Sequence, residues 1–230
     1  MREIHKRLVR SGLVIIEQYG FVLAGGYALS ANGFGDRPSM DVDFFTKDLS
    51  PENFAQAVDE LTIAYEGQGL IVNVLNRTPL FVNFDVLDPI TGESSELQLG
   101  WDYREFPPVC LDIGPVLDER DAVANKMTAL YSRGEVRDFI DIYAVITSGR
   151  FTQEDVLALA DSRESLPIDR GMLAQRFKML SGPEYAGMYD LEQFANYGID
   201  ADTHAAIVER FAQWAADIDL CQRGGEQWLR

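Results

Sequence analysis

The sequence is short of the residues that hold small proteins together by covalent or metal cross-links. Its two cysteines, Cys110 and Cys221, lie far apart, which excludes a disulfide framework. The two histidines, His5 and His204, are equally scattered and show no ligand spacing, so a zinc site is not expected. Both cysteines read as small buried hydrophobes. No apolar run approaches the roughly 18 residues that a membrane-spanning helix needs. The charged start, Met1-Arg2-Glu3-Ile4-His5-Lys6-Arg7, has no hydrophobic signal core behind it, so a cytoplasmic protein without membrane contact is expected. Positive charge is also scarce. Against 37 Asp and Glu stand 20 Lys and Arg, a net charge of −17. That field opposes indiscriminate binding to nucleic acid. It leaves room for a local basic patch: Arg2, Lys6 and Arg10 are spaced by four on one helical face, with Arg7 at its edge.

What is present is apolar material for a sizeable core: 47% of 230 residues, enough for one large domain or two small ones. The pattern predicts a helix over 3–19 stopped by Gly20, a short strand Phe21–Ala24 running into Gly25-Gly26, and a short helix Tyr27–Ala31. Asn32–Pro38 reads as a loop, and Met40–Phe45 alternates apolar and acidic residues as a strand does. Ser50-Pro51 marks a capped helix start. Strands follow at 70–75, 80–87 and 96–101, the last two as an antiparallel hairpin. After Pro115 the pattern turns helical, with 118–133, 135–148, 152–161, 169–180 and 203–220 as the main segments. The expected layout is α+β: an α/β domain over 1–117, then a helical part over 118–230 that completes an active-site cleft.

Two constellations carry chemistry. The first is Ala24-Gly25-Gly26 followed by Met40-Asp41-Val42-Asp43-Phe44. Residues two apart on a strand share a face, about 6.5 Å apart. Asp41 and Asp43 therefore project together while Val42 and Phe44 turn to the core. Two carboxylates held so close repel unless a cation or proton lies between them. Magnesium takes hard oxygen ligands and keeps the rest of its shell for water and phosphate. The double glycine lets backbone amides come close to a phosphate. Each element alone has a bland explanation, a solvated strand face or a simple turn; together, in this order, they are far more specific.

The second constellation is Lys126, Arg133 and Arg137-Asp138-Phe139-Ile140-Asp141. Asp138 and Asp141 share a helical face, and Arg137 points elsewhere. The bland reading is a surface salt-bridge network. Yet Asp141 stands among Phe139, Ile140, Ile142 and Tyr143, where a carboxylate needs a partner, and Lys126 or Arg133 is the natural candidate.

Together these residues resemble the AbiEii/MenT-type nucleotidyltransferase toxins of the polymerase-β-like nucleotidyltransferase superfamily. The match runs through Gly25–Ser30, Arg37–Phe45 and Lys126–Asp141, about two thirds of the chain. The resemblance implies a polymerase-β-like core with a mixed or antiparallel sheet and a helical C-terminal part. It implies that Gly25, Gly26, Ser30, Arg37 and Ser39 contact the triphosphate of a nucleoside triphosphate. Asp41 and Asp43 would bind Mg2+, with Mn2+ as an alternative. Lys126 would neutralise phosphate charge, and Asp141 would orient Lys126 or the acceptor hydroxyl. Arg137 and Asp138 would support them. The superfamily often adds a third carboxylate on a later strand. Asp85 in Phe84-Asp85-Val86 has the local pattern; by order in the fold the strand Glu96–Leu99 fits better and offers Gln98, and Asp102 lies just beyond. The implied acceptor is the tRNA 3′ end, with the protein as the toxin of a type IV-like toxin–antitoxin pair beside a cognate antitoxin. The rival readings are transfer to a small molecule such as an antibiotic or to a protein hydroxyl, and an inactive protein that binds only a nucleotide or a partner.

Overall fold

Alternation of buried and more exposed residues along 41–46, 81–87 and 94–99 builds the centre of the sheet. In the computed structural model, which describes the backbone of residues 1–226 and the side chains of residues 1–221, seven strands among the described residues form one mixed sheet. The chain divides into two compact units, Met1–Ala122 and Val123–Arg230.

The first unit opens with α1 (Glu3–Ile16), closed by a short 3-10 turn at Glu17–Tyr19. Then come β1 (Val22–Leu23), α2 (Gly25–Ala31), β2 (Asp41–Thr46) and α3 (Pro51–Gly67). They are followed by β3 (Ile71–Thr78), β4 (Phe81–Leu87), β5 (Ser94–Trp101), β6 (Val109–Leu111) and β7 (Gly114–Val116). The order across the sheet is β3-β4-β5-β2-β1-β7-β6. β2 pairs antiparallel with β1 and parallel with β5, so it has neighbours on both edges. The β4–β5 hairpin has the expected antiparallel register, and β3 pairs antiparallel with β4 in a second hairpin.

One face of the sheet is the core. Val42, Phe44, Val82, Phe84, Val86, Leu97 and Leu99 are all at most 1% exposed. Against them lies the apolar stripe of α1, which includes Leu8, Val9, Leu13 and Ile16, and that of α3, which includes Phe54, Val58, Leu61 and Tyr65. The Tyr65 hydroxyl donates to the Leu8 carbonyl at 2.8 Å and ties the two helices together. Ser50 caps α3 through the Asn53 N–H, with Pro51 in the first helical turn, as its sequence predicts.

The second unit holds most of α4 (Glu119–Ser132), then α5 (Val136–Thr147), α6 (Gln153–Arg163), α7 (Arg170–Lys178), α8 (Leu191–Ala195) and α9 (Ala201–Glu226). Its core is aromatic: Phe211 stands 5.1 Å from Phe139 and 4.9 Å from Phe177, and Phe177 is 4.8 Å from Trp214. Gly134 turns the chain between α4 and α5 with φ +62°. Its carbonyl accepts the Tyr189 hydroxyl at 2.7 Å, and Arg176 closes the end of α4 through the Ser132 carbonyl at 2.9 Å.

One expectation is corrected. Cys110 and Cys221 are both exposed rather than buried, because Cys110 lies on the edge strand β6 and Cys221 on the outer side of α9. Among the described residues no helix is long and apolar enough to cross a membrane.

Candidate active site

The two aspartates of β2 follow the pleat. Along Asp41–Thr46 half-buried and buried residues alternate, so Asp41 and Asp43 share the face turned away from α1 and α3 while Val42 and Phe44 are buried beneath them. α2 begins at Gly25, two residues earlier than the pattern suggests, immediately after β1. The Ala24 N–H donates to the Asp43 carbonyl at 2.8 Å, which locks the glycine turn to the acid-bearing strand. Gly25 has φ +58°, and a Cβ there would overlap the Asp43 carboxylate. A Cβ on Gly26 would lie 2.6 Å from Ser39 Oγ and 3.2 Å from an Arg37 guanidinium nitrogen. The glycine pair is thus required by the close approach of Asp43, Ser39 and Arg37, all assigned to the site from sequence. Ser30, Arg37 and Ser39 line one open cleft of about 870 Å³ within the first unit, together with Arg2, Tyr27 and Ile113.

Strand register decides among the third-acid candidates. Asp43 faces Gln98 across β2–β5, as the order in the fold suggests. Asp41 faces Glu96, and Glu96 faces Asp85 on β4, so Asp85 is two strands from Asp41. Asp102 follows β5, and its N–H donates to the Thr46 carbonyl at the far end of β2, about 16 Å along the strand from Asp41. Asp102 is therefore not a member of this group. Glu96 is the acid that the sequence reading passed over; its carboxylate accepts the Asn83 amide at 2.9 Å. The signal was its place in the alternation with buried Leu97 and Leu99, but which residue it opposes is a matter of long-range pairing.

Among the described residues no group of three or more His, Cys, Asp or Glu converges closely enough to hold a metal ion by itself. The donor set that the fold presents is the pair Asp41 and Asp43, beside a glycine turn against which the Asp43, Ser39 and Arg37 side chains pack. Two hard carboxylates on one partly exposed face suit an ion that keeps most of its shell for water and phosphate, so these residues fit Mg2+.

In the second unit Lys126 is only 7% exposed. Its ammonium lies 3.0 Å from Asp141 and 3.9 Å from Asp138. Asp141 thus has the partner its apolar setting demands, and that partner is Lys126. Arg133 instead grips Asp138 with two hydrogen bonds of 2.9 Å. The Asp138 carboxylate holds the Arg133 guanidinium above its ordinary range. Asp138 also accepts the Glu135 N–H at 3.2 Å and so caps α5. Arg137 turns outward to Glu135 at 2.7 Å. Part of the basic patch on and just before α1 is engaged: Arg7 pairs with Asp88 at 2.8 Å, Lys6 with Glu3 at 2.6 Å, and Arg2 donates to the Ser94 carbonyl.

A mixed sheet with paired acids on a central strand beside a glycine turn, joined to a helical part, is the arrangement of a nucleotidyltransferase. The family profile of the nucleotidyl transferase AbiEii toxin of type IV toxin–antitoxin systems matches residues 15–180. The chain belongs to the AbiEii nucleotidyltransferase toxin family and is a nucleotidyltransferase. Among solved structures, JHP933 from Helicobacter pylori is similar in fold, with a TM-score of 0.57 at 17% identity over 99% of this chain and 97% of that one. So is MenT4, a nucleotidyltransferase toxin from Mycobacterium tuberculosis H37Rv, with a TM-score of 0.52 at 18% identity over 94% of this chain and 91% of that one. No curated protein matches the sequence.

Proposed function

We propose that this toxin moves a nucleoside monophosphate from a nucleoside triphosphate to an acceptor hydroxyl in a Mg2+-dependent reaction, with the tRNA 3′ end as acceptor. The observation that carries the proposal is the shared face of Asp41 and Asp43 against a glycine turn that admits no Cβ. Asp41 and Asp43 hold the ion, with Mn2+ as a substitute. Bound there, it would neutralise phosphate charge and polarise the reacting phosphate. Gly25, Gly26, Ser30, Arg37 and Ser39 hold the triphosphate. The acceptor oxygen attacks the α-phosphorus, the bond from that phosphorus to the bridging oxygen of the β-phosphate breaks, and pyrophosphate leaves. Such a reaction depends on positioning and electrostatics rather than on covalent chemistry from the protein. Lys126 supplies positive charge to the phosphates. The 3.0 Å ion pair supports Asp141 as the residue that orients Lys126, with Asp138 and Arg137 in support. A cognate antitoxin is the expected partner, and the cytoplasm, where tRNA is found, the expected compartment.

The test incubates the protein with each labelled nucleoside triphosphate, Mg2+ and total RNA. Label should enter tRNA, and Asp41→Ala and Asp43→Ala should each abolish the transfer with the fold intact; Lys126→Met should abolish it as well, but with a loss of stability, because buried Asp141 loses its 3.0 Å partner. Full activity in either aspartate variant would sink the metal assignment. Label entering a small hydroxylated molecule or a protein in place of RNA would move the acceptor to that class.

A further inference from the structure

The buried side of α1 carries a residue that the chemistry above leaves unused. His5 is completely buried. Its Nδ1 meets the Tyr27 hydroxyl in a short hydrogen bond, and the two rings pack edge to face with centroids 5.4 Å apart. Its Nε2 is buried with no partner. An apolar residue would fill the same place in the stripe without leaving a polar atom unpaired, so the imidazole calls for a reason beyond packing.

Tyr27 gives that reason. It is the second residue after Gly25, and its 6% of exposed surface lies in the cleft beside Ser30, Arg37 and Ser39. α2 is only seven residues long and has no side-chain cap at Ala24. A helix that short takes its position from tertiary contacts rather than from its own stability. The Tyr27 hydroxyl also faces the main chain of Arg2, so one oxygen joins the N-terminal segment, α1 and α2. When the hydroxyl donates to Nδ1, the imidazole is neutral with its proton on Nε2. Burial favours that neutral form and pushes the His5 pKa down to about 4.

We infer that the buried His5–Tyr27 hydrogen bond is a positioning device for nucleotide binding: it sets where the Gly25-Gly26 turn and the Tyr27 wall of the cleft stand. His5 is too deeply buried to touch a ligand, so it is a positioning residue that acts through Tyr27. The inference rests on the reading of this cleft as the nucleotide site.

The test uses the full chain with His5→Leu, His5→Asn, Tyr27→Phe and the His5→Leu/Tyr27→Phe double variant. The first readout is hydrogen exchange of the α2 amides without nucleotide, and the second is steady-state transfer from a labelled nucleoside triphosphate. His5→Leu and Tyr27→Phe should each speed α2 exchange and raise the nucleotide KM about tenfold, with kcat changed by less than about twofold. The double variant should be no worse than either single one, because both remove the same bond. His5→Asn keeps an acceptor near the Nδ1 position and should restore most of the loss. Unchanged α2 exchange, an unchanged KM or additive effects in the double variant would overturn the inference. If His5→Leu does not fold, Tyr27→Phe and His5→Asn decide it on the same two readouts. If the wild-type protein transfers no nucleotide, the functional reading fails, while α2 exchange still decides the link itself.

Discussion

Replacing Asp138 with asparagine removes one charge and almost no volume from a fully buried carboxylate of the second unit. Asp138 is fully buried and accepts two hydrogen bonds of 2.9 Å from Arg133 and one of 3.2 Å from the Glu135 N–H, with Lys126 at 3.9 Å. Asparagine keeps an oxygen for the Glu135 N–H, so the cap of α5 survives. Its amide N–H2 must then face a guanidinium nitrogen, which exchanges one charge-assisted bond for a donor–donor contact. Hydrogen bonds to charged groups contribute about 1.5–3 kcal/mol each. The Arg133 side chain is 43% exposed and can turn to water, so the pair is discounted. The net loss expected is about 2–3 kcal/mol, or a fall in Tm of about 5–10 °C for a chain of this size. Thermal and urea unfolding of Asp138→Asn beside the wild type, at pH 7 and moderate salt, would measure it. Arg133→Gln should lose less alone, and the double variant should lose less than the sum of the two. A loss below about 0.5 kcal/mol, the scatter of ordinary surface substitutions, would refute the reasoning.

The other expected outcomes concern the first unit. Gly25→Ala sets a methyl group against the Asp43 carboxylate at φ +58° and should lower label transfer to RNA at least about 100-fold by displacing the acids. His5 has its folded pKa pushed down to about 4, chiefly by burial and then by the Arg2 and N-terminal charges, with Asp41 opposing. The unfolded chain takes a proton near pH 6.5 that the folded chain refuses, so stability falls as pH drops from 6.5 towards 4, by about 3 kcal/mol from this residue. Urea unfolding across that range should show a shallower fall in His5→Asn than in the wild type. Arg7→Glu should destabilise the fold by facing Asp88, whereas Lys6→Glu with Arg10→Glu should not. If the α1 patch meets RNA, that double reversal should weaken RNA transfer far more than nucleotide binding and reduce the salt slope by about two units.

Much of this arrangement was legible because it is local. The alternation from Met40 to Phe45 gives strand, face and acid pair at once, and the structure keeps all three. The capped start of α3 at Ser50-Pro51 and the β4–β5 hairpin are local in the same way. The need of Asp141 for a cation followed from the apolar residues around it. β6 and β7 were not visible, because three residues each, with Pro107 and Pro108 just before β6 and Pro115 in the middle of β7, are too short to show a period of two. Glu96 could be placed on the outer face from its neighbours, but its position opposite Asp41 depends on a parallel pairing between strands some fifty residues apart. His5 did leave a trace: with Leu8, Val9, Gly12, Leu13 and Ile16 it occupies a regular helical stripe, and it is the one polar side chain there. What the stripe could not tell was that Tyr27 lies across from it.

β2 is paired along both edges, and its buried side chains alone fasten it to the core. The carboxylates to which the proposed chemistry is assigned are on the other side, half-buried, with that of Asp43 against the glycine turn. On the proposed assignment, folding and reactivity are written on opposite faces of the same strand. On that same assignment, Asp41→Ala or Asp43→Ala should give a harmless version of this toxin with its surfaces for partners kept, a practical form in which to produce the protein in a living cell and to capture whatever binds it there.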